Sequence, residues 1–287
     1  QWWGYSAKKL DINCVKEHFG NDTFNVVFMG GSAMFNAEAP NYLTHIDHYA
    51  TRGLAEVKTI NLAESGARHM NMSVRFQREI LPLRPDLVIF FDGYNEFNSG
   101  LYGGDPKDDF YWTATGKVRM HKPYRLYIDK AIELSKFLEI ALVHTGLYQS
   151  SRNVTGAKFA RHLVHEAASQ YLSDRRNTKI LCEATSISCL FVIQPQIFGS
   201  DLDEHKAIIR RSISQMPHHE KVHINGYAHI LKQCEDCIDM SALLHGEYDT
   251  YLDPVHFAKR GSELVGSRFR ELIIAQIGRN GLIENNN

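Results

Sequence analysis

The sequence has no apolar run of the roughly 18–20 residues that a bilayer-spanning helix needs. It has no imbalance of charge either. Lys and Arg number 32 against 33 Asp and Glu, a formal net charge of −1, which gives no electrostatic reason to expect a nucleic-acid partner. Cysteine is scarce, five in 287 residues, too few for a disulfide scaffold. Cys234-Glu-Asp-Cys237 is the close pair. No second pair completes a zinc knuckle and no strand–helix context suggests a redox site. Ordinary thiols are expected there, with a local disulfide or a bound metal as alternatives. Cys14, Cys182 and Cys189 lie in apolar surroundings and read as small core residues. No internal repeat and no linker-like change of composition divides the chain.

What is present is an ordinary globular mix, 44% hydrophobic and 23% charged. The 15 His are scattered and read as surface and loop residues. Asn21-Asp-Thr23, Asn71-Met-Ser73 and Asn153-Val-Thr155 fit the glycosylation acceptor pattern, which chance often produces. The chain opens at Gln1, and a trimmed segment is expected ahead of it, a signal peptide or membrane anchor being a candidate; an extracytoplasmic or membrane-tethered location is suspected, with a cytoplasmic one left open.

Short apolar runs alternate with helical spacing. Phe24–Met29, Val57–Leu62, Asp86–Phe91 and Ile187–Ile193 read as strands, the third buried on both faces. Helices are expected from about Pro40 to Leu54, over Met70–Leu81, Leu126–Val143, Lys158–Leu172 and Leu202–Met216, and over Ser262–Ile277. Glu220–Asn225 reads as a connector. Tyr94 to about Tyr124, rich in Gly and aromatic residues, reads as a long functional loop. The strand–helix–strand rhythm implies a parallel sheet with right-handed crossovers. The expected organisation is an N-terminal extension over 1–23, one α/β domain over 24–278 with a loop and helical insertion at about 97–180, and a frayed end over 279–287.

Ser32 follows Gly30-Gly31 at the carboxyl end of a buried strand, where open parallel sheets bind ligands. It is a candidate nucleophile, or only a cap on the turn into a helix. Asp253-Pro-Val-His256 sets a carboxylate three residues before a candidate general base. There it can hold one tautomer and stabilise the imidazolium. A loop His beside a capping Asp is the plainer alternative, and Asp249 is a rival partner. Asn61-Leu-Ala-Glu-Ser-Gly66 and Asp92-Gly-Tyr-Asn95-Glu follow the second and third strands. The Gly66 N–H and the Asn95 amide can both point at an oxygen near Ser32, although Asn and Gly are also turn residues. Gly31, Tyr94, Glu96, Phe97 and Gln194 are candidates to line the same cleft. Asp92, Glu64 and Glu96 otherwise read as solvated loop carboxylates.

Taken in order, Gly30-Gly-Ser32-Ala-Met, Asn61–Gly66, Gly93-Tyr-Asn95-Glu and Asp253-Pro-Val-His256 resemble the SGNH, or GDSL-type, hydrolases, from about Phe24 to Arg270. The resemblance implies a flavodoxin-like three-layer α/β/α sandwich and a serine esterase without metal or other cofactor. It implies Ser32 as nucleophile, His256 as base, Asp253 as its partner, and an oxyanion hole of Ser32 N–H, Gly66 N–H and the Asn95 side chain. Two departures stand out: the usual Gly-Asp-Ser is Gly30-Gly31-Ser32, and the usual Asn-Asp is Asn95-Glu96. The expected substrate is an acyl ester, short and acetyl-like, on a small molecule or surface glycan. The same residues would serve an O-acyltransferase, a lipase or thioesterase, or a retired glycan-binding protein. Nothing in the sequence bears on oligomeric state.

Overall fold

A computed structural model describes residues 15, 17–20, 22–35, 46–101, 111–113, 116–118, 157–213 and 219–279, though not the side chains of 35, 99–101, 111–113, 116–118, 157–163 and 213. In chain order the elements are β1 (Phe24–Gly30), α1 (Ser32–Phe35), α2 (Ile46–Thr51), β2 (Val57–Asn61), α3 (His69–Arg75), β3 (Leu87–Asp92), α4 (Tyr94–Leu101), β4 (Tyr111–Thr113), β5 (Gly116–Val118), α5 (Ala157–Thr185), β6 (Ser188–Ile193), α6 (Asp203–Ile213), α7 (His219–Gln233), β7 (Cys237–Asp239) and α8 (Lys259–Arg279). The central sheet is parallel, with strand order β2-β1-β3-β6-β7.

Strand periodicity sorts the core into two layers. Val26 and Phe28 of β1, with Ile89 and Phe91 of β3, face Ile46 and Ala50 of α2 and Val265, Phe269 and Ile273 of α8. Val27 and Met29, with Val88 and Phe90, face Met72 of α3 and the Phe76 and Ile80 that follow it. The Phe269 ring stands edge-on to Phe28 at 5.7 Å and to Phe91 at 5.2 Å. A third cluster joins Phe97 of α4 to Ala168 and Tyr171 of α5 and to Val222, Tyr227 and Ile230 of α7. Every residue of β3 is buried, which is why its run is apolar without alternation. The result is an α/β/α three-layer sandwich, the architecture that the family resemblance implies, around the parallel sheet that the strand–helix rhythm implies. Because β2 and β3 lie on opposite sides of β1, the sheet's switch point falls between the carboxyl ends of β1 and β3.

The structure differs from the sequence reading in several places. The helix expected to Leu81 is α-helical only to Arg75. It widens to a π turn over Phe76–Ile80 and tightens over Leu81–Leu83, where Pro82 lacks a donor. The stretch from Tyr94 begins as helix α4, one face of which is fixed by the buried Phe97, and holds the small hairpin β4–β5. The helix expected at Leu126–Val143 lies outside the described residues. Helix α5 runs thirteen residues past Leu172 to Thr185. The buried polar Arg175 and Thr178 interrupt its apolar stripe, so hydrophobic spacing ends too early. Glu220–Asn225 belongs to α7, whose inward face carries His219, His223 and Gly226 beside Val222 and Ile230. Strand β7 went unread because three residues ending in an aspartate carry no strand pattern.

The cysteine reading is also corrected. Cys182 and Cys189 are a disulfide, and so are Cys234 and Cys237. Ser186, at φ 57°, reverses the chain after α5 and brings the first pair's Cα atoms to 6.2 Å, inside bridging range. The second pair, 5.3 Å apart, ties the end of α7 to β7. Alkylation of the unfolded, unreduced protein should therefore spare four of the five cysteines. Cys182→Ser/Cys189→Ser should cost about 2 kcal/mol in denaturant unfolding, the worth of closing so short a loop. Asn71 is buried inside α3, so its acceptor triplet is no glycosylation site.

Candidate active site

Ser32 opens α1 directly after β1, at the switch point. The turn around it is tied to the two loops that follow β2 and β3. Glu64 N–H donates to Gly30 O at 2.9 Å, which pins the loop after β2 to the end of β1. Within that loop Asn61 Oδ1 accepts from Ala63 N–H, Ala67 N–H donates to Glu64 O, and Gly66 takes φ 76°, a conformation glycine adopts without strain. The Asn95 amide Nδ2 then donates to Ala67 O at 2.9 Å and joins this loop to the start of α4. Gly93, at φ 126°, makes the preceding turn. Ser32, Gly66 and Asn95 thus sit on three short segments stitched together by hydrogen bonds at one edge of the sheet.

The His256 turn is built as tightly. Asp253 Oδ1 accepts the N–H groups of Val255 and His256 at 2.8 and 2.9 Å, and Oδ2 lies 2.6 Å from His256 Nδ1. Leu252 N–H donates to His256 O, Ala258 N–H donates to Thr250 O, and Tyr251 bridges to Phe257, so the turn is closed on itself before α8 begins. Burial alone raises the Asp253 carboxyl. The His256 ring, the two backbone donors and the His256 charge outweigh it and hold the group below the usual carboxylate range. Asp253 therefore stays ionised where a His can act as base. It is Asp253 that meets His256 Nδ1; the backbone N–H of Asp249, the rival, meets the Glu204 carboxylate. Phe257, next to His256, is fully buried with its ring 6.4 Å from Phe91, and Phe91 is the register partner of Gly30. That packing sets the His256 turn at the same sheet edge as Ser32.

The candidates for the cleft lining fare differently. Phe97 has no exposed surface and belongs to the core between α4, α5 and α7. Tyr94 is buried with its ring stacked at 4.2 Å on His223. Glu96 is buried and accepts the His69 N–H at 2.7 Å. All three are packed inward, with little or no exposed surface. Gln194 is buried too, its backbone N–H on Asp92 O at 2.8 Å. Gly31 lies against the Asn95 amide.

Behind the edge lies a polar network that composition hid. His69 is fully buried. Its Nδ1 is 2.6 Å from Asp92 Oδ2, and its Nε2 is 3.1 Å from Thr178 Oγ1, which donates to Ser73 Oγ at 2.9 Å. This chain crosses from β3 through α3 to α5. His205, His219 and His223 are buried as well, so the scattered histidines are not all surface residues. His219 and His223 both approach Asn98 Oδ1, at 3.2 and 3.3 Å. The signal that could have found His219 and His223 is their spacing with Tyr227, four residues apart along one face of a helix.

These groups set a pH dependence of stability. Burial lowers His219 to about 4 and His223 well below its ordinary value. Their unfolded forms take up protons first, so stability is lost as pH falls from about 6.5 toward 4. Glu96 is raised to about 8, by desolvation first and by the Asp92 charge second. The folded state keeps that proton, so stability is lost as pH rises toward 8. Between 4.5 and 6.5 two histidines outweigh one carboxyl. The expected optimum is therefore near pH 6.5, read as a maximum in Tm against pH. Glu96→Gln should flatten the alkaline limb, which spans on the order of a few kcal/mol.

No sequence-family description matches the chain, and no curated protein matches it either. Solved structures do resemble it. The lipase Lip_vut3 from a goat rumen metagenome is 12% identical with a TM-score of 0.52, over 87% of this chain and 97% of that one. A catalytic mutant of Axe2, an acetylxylan esterase from Geobacillus stearothermophilus, is 12% identical with a TM-score of 0.45, over 89% and 96%. At such identity the likeness is one of fold: the chain has the α/β architecture of the goat-rumen lipase.

Proposed function

We infer that the chain is a serine esterase of the SGNH type, acting through an acyl-enzyme on Ser32. The observation that carries this reading is the Asp253–His256 pair, locked in a closed turn at the sheet edge where the segments of Ser32, Gly66 and Asn95 are hydrogen-bonded together. Ser32 Oγ attacks the ester carbonyl carbon while His256 takes the hydroxyl proton, and Asp253 steadies the imidazolium. The oxyanion is received by Ser32 N–H, Gly66 N–H and the Asn95 amide. The C–O bond to the alcohol breaks as His256 returns the proton to the leaving oxygen. Water, deprotonated by the same His256, then releases the acid and restores Ser32.

A short acyl ester on a carbohydrate is the substrate class to test first. Two disulfides among the described residues support folding in an oxidising compartment, where surface glycans are met. The test is covalent labelling by a fluorophosphonate, followed by acyl release from p-nitrophenyl esters of increasing chain length and from an acetylated glycan. Labelling that vanishes in Ser32→Ala and in His256→Ala, with acetate released fastest, is expected. Labelling that persists in Ser32→Ala would overturn the assignment.

A further inference from the structure

The commonest motif of the resembled family carries an Asp before its serine, and here that residue is Gly31. A Cβ built on Gly31 would stand 2.4 Å from Asn95 Nδ2, 3.7 Å from Asn95 Cγ and 3.4 Å from Ala67 O. The two atoms it crowds most are the donor and acceptor of the Asn95–Ala67 hydrogen bond. The Asn95 amide therefore occupies the volume that any side chain at position 31 would claim. The backbone does not demand glycine, because Gly31 is not among the glycines of positive φ. What demands it is the amide.

We propose that Gly31 is a positioning residue, whose missing side chain keeps open the seat of the Asn95 amide over the Ser32 turn. This rests on the esterase reading, in which that amide is an oxyanion donor. The amide is the end of a side chain, so a methyl group at 31 displaces it by a rotation of Asn95 and leaves the backbone in place. Folding is then little affected, while the donor is aimed away from the oxyanion. The same geometry makes Gly31→Asp, which restores the family's commoner residue, a loss and not a gain.

The test compares Gly31→Ala, Asn95→Ala and the double variant in the purified 287-residue chain. The readouts are kcat and KM on a p-nitrophenyl ester, thermal unfolding, and the NMR signal of the Asn95 side-chain amide, assigned by its disappearance in Asn95→Asp. Each single variant should lose about 10²–10³-fold in kcat, the usual worth of one oxyanion donor, with KM little changed. The double variant should be no slower than Asn95→Ala, since both remove one donor. Gly31→Ala should melt close to the wild type, with the amide signal shifted and its exchange faster. Gly31→Ala turning over at the wild-type rate overturns the proposal, as do losses that multiply in the double variant. If Asn95→Ala is as fast as wild type, Asn95 is no donor and the proposal falls with that assignment. A wild-type chain that turns over no ester removes the esterase reading alone. The amide signal then decides: shifted in Gly31→Ala, the seat is as proposed; unmoved, it is not.

Discussion

Ser32→Ala should abolish ester hydrolysis, lowering kcat by about 10⁶-fold and leaving only what the oxyanion donors and substrate binding supply without a nucleophile. The size follows from the chemistry: without Oγ there is no acyl-enzyme, and water must attack directly. Ser32 is only partly buried and opens a four-residue helix, so removing its hydroxyl should scarcely change Tm. Activity lost with the fold intact is what separates a nucleophile from a helix cap. A capping Ser replaced by Ala would cost about 1 kcal/mol of stability and little rate. Single-turnover kinetics with a p-nitrophenyl ester, alongside a melt, reads both.

Asp253→Asn should cost about 10⁴-fold in kcat, again without unfolding the chain. Asp253 does two things through two oxygens. Oδ1 holds the turn by accepting the Val255 and His256 N–H groups, and an asparagine oxygen can keep both bonds. Oδ2 faces His256 Nδ1 at 2.6 Å, and an asparagine would place an NH₂ donor there. The ring must then accept at Nδ1 and carry its proton at Nε2, the wrong tautomer for a base. Asp253→Ala should lose the turn as well and melt lower. The contrast between the two variants, measured as kcat and Tm, isolates the electrostatic role from the structural one. Near-wild-type turnover in Asp253→Asn would show that another group orients His256.

The parts of the fold that could be read in advance are those governed by strong periodicity. Strands β1, β3 and β6 are short apolar runs ended by glycine, aspartate or glutamine, β2 alternates and ends in asparagine, and α8 is a long amphipathic stretch; all five lie close to where spacing put them. Ser32, Gly66 and Asn95 were singled out because each follows the end of a strand within a few residues, and a parallel sheet gathers such residues at one edge; Asp253 and His256 lie well beyond β7 and rest on their own spacing. What was not read is polar and buried. Glu96 looked like a loop carboxylate, yet it is a buried group held on a backbone N–H of α3. His219 and His223 looked like surface residues, yet they fill the inward stripe of α7 and are paired through Asn98. A polar residue in a core is stable only when partners distant in sequence satisfy it, and a linear pattern does not reveal partners. The Cys182–Cys189 disulfide was missed for a related reason: the two meet only because Ser186 turns the chain between them, whereas a local Cys234–Cys237 disulfide stood among the alternatives.

Strand β3 has a consequence for how the chain comes off the ribosome. All of its residues are apolar except the last, and its two neighbours arrive at very different times. β1 is already synthesised when β3 emerges, but β6, which covers the other side, begins only at Ser188, after the whole stretch beyond α4. During that interval the nascent chain carries an unpaired, fully apolar strand edge, the kind of surface that recruits chaperones or seeds clumping. Expression yield should therefore depend more on how quickly residues 93–187 are translated and folded than on anything at the site itself.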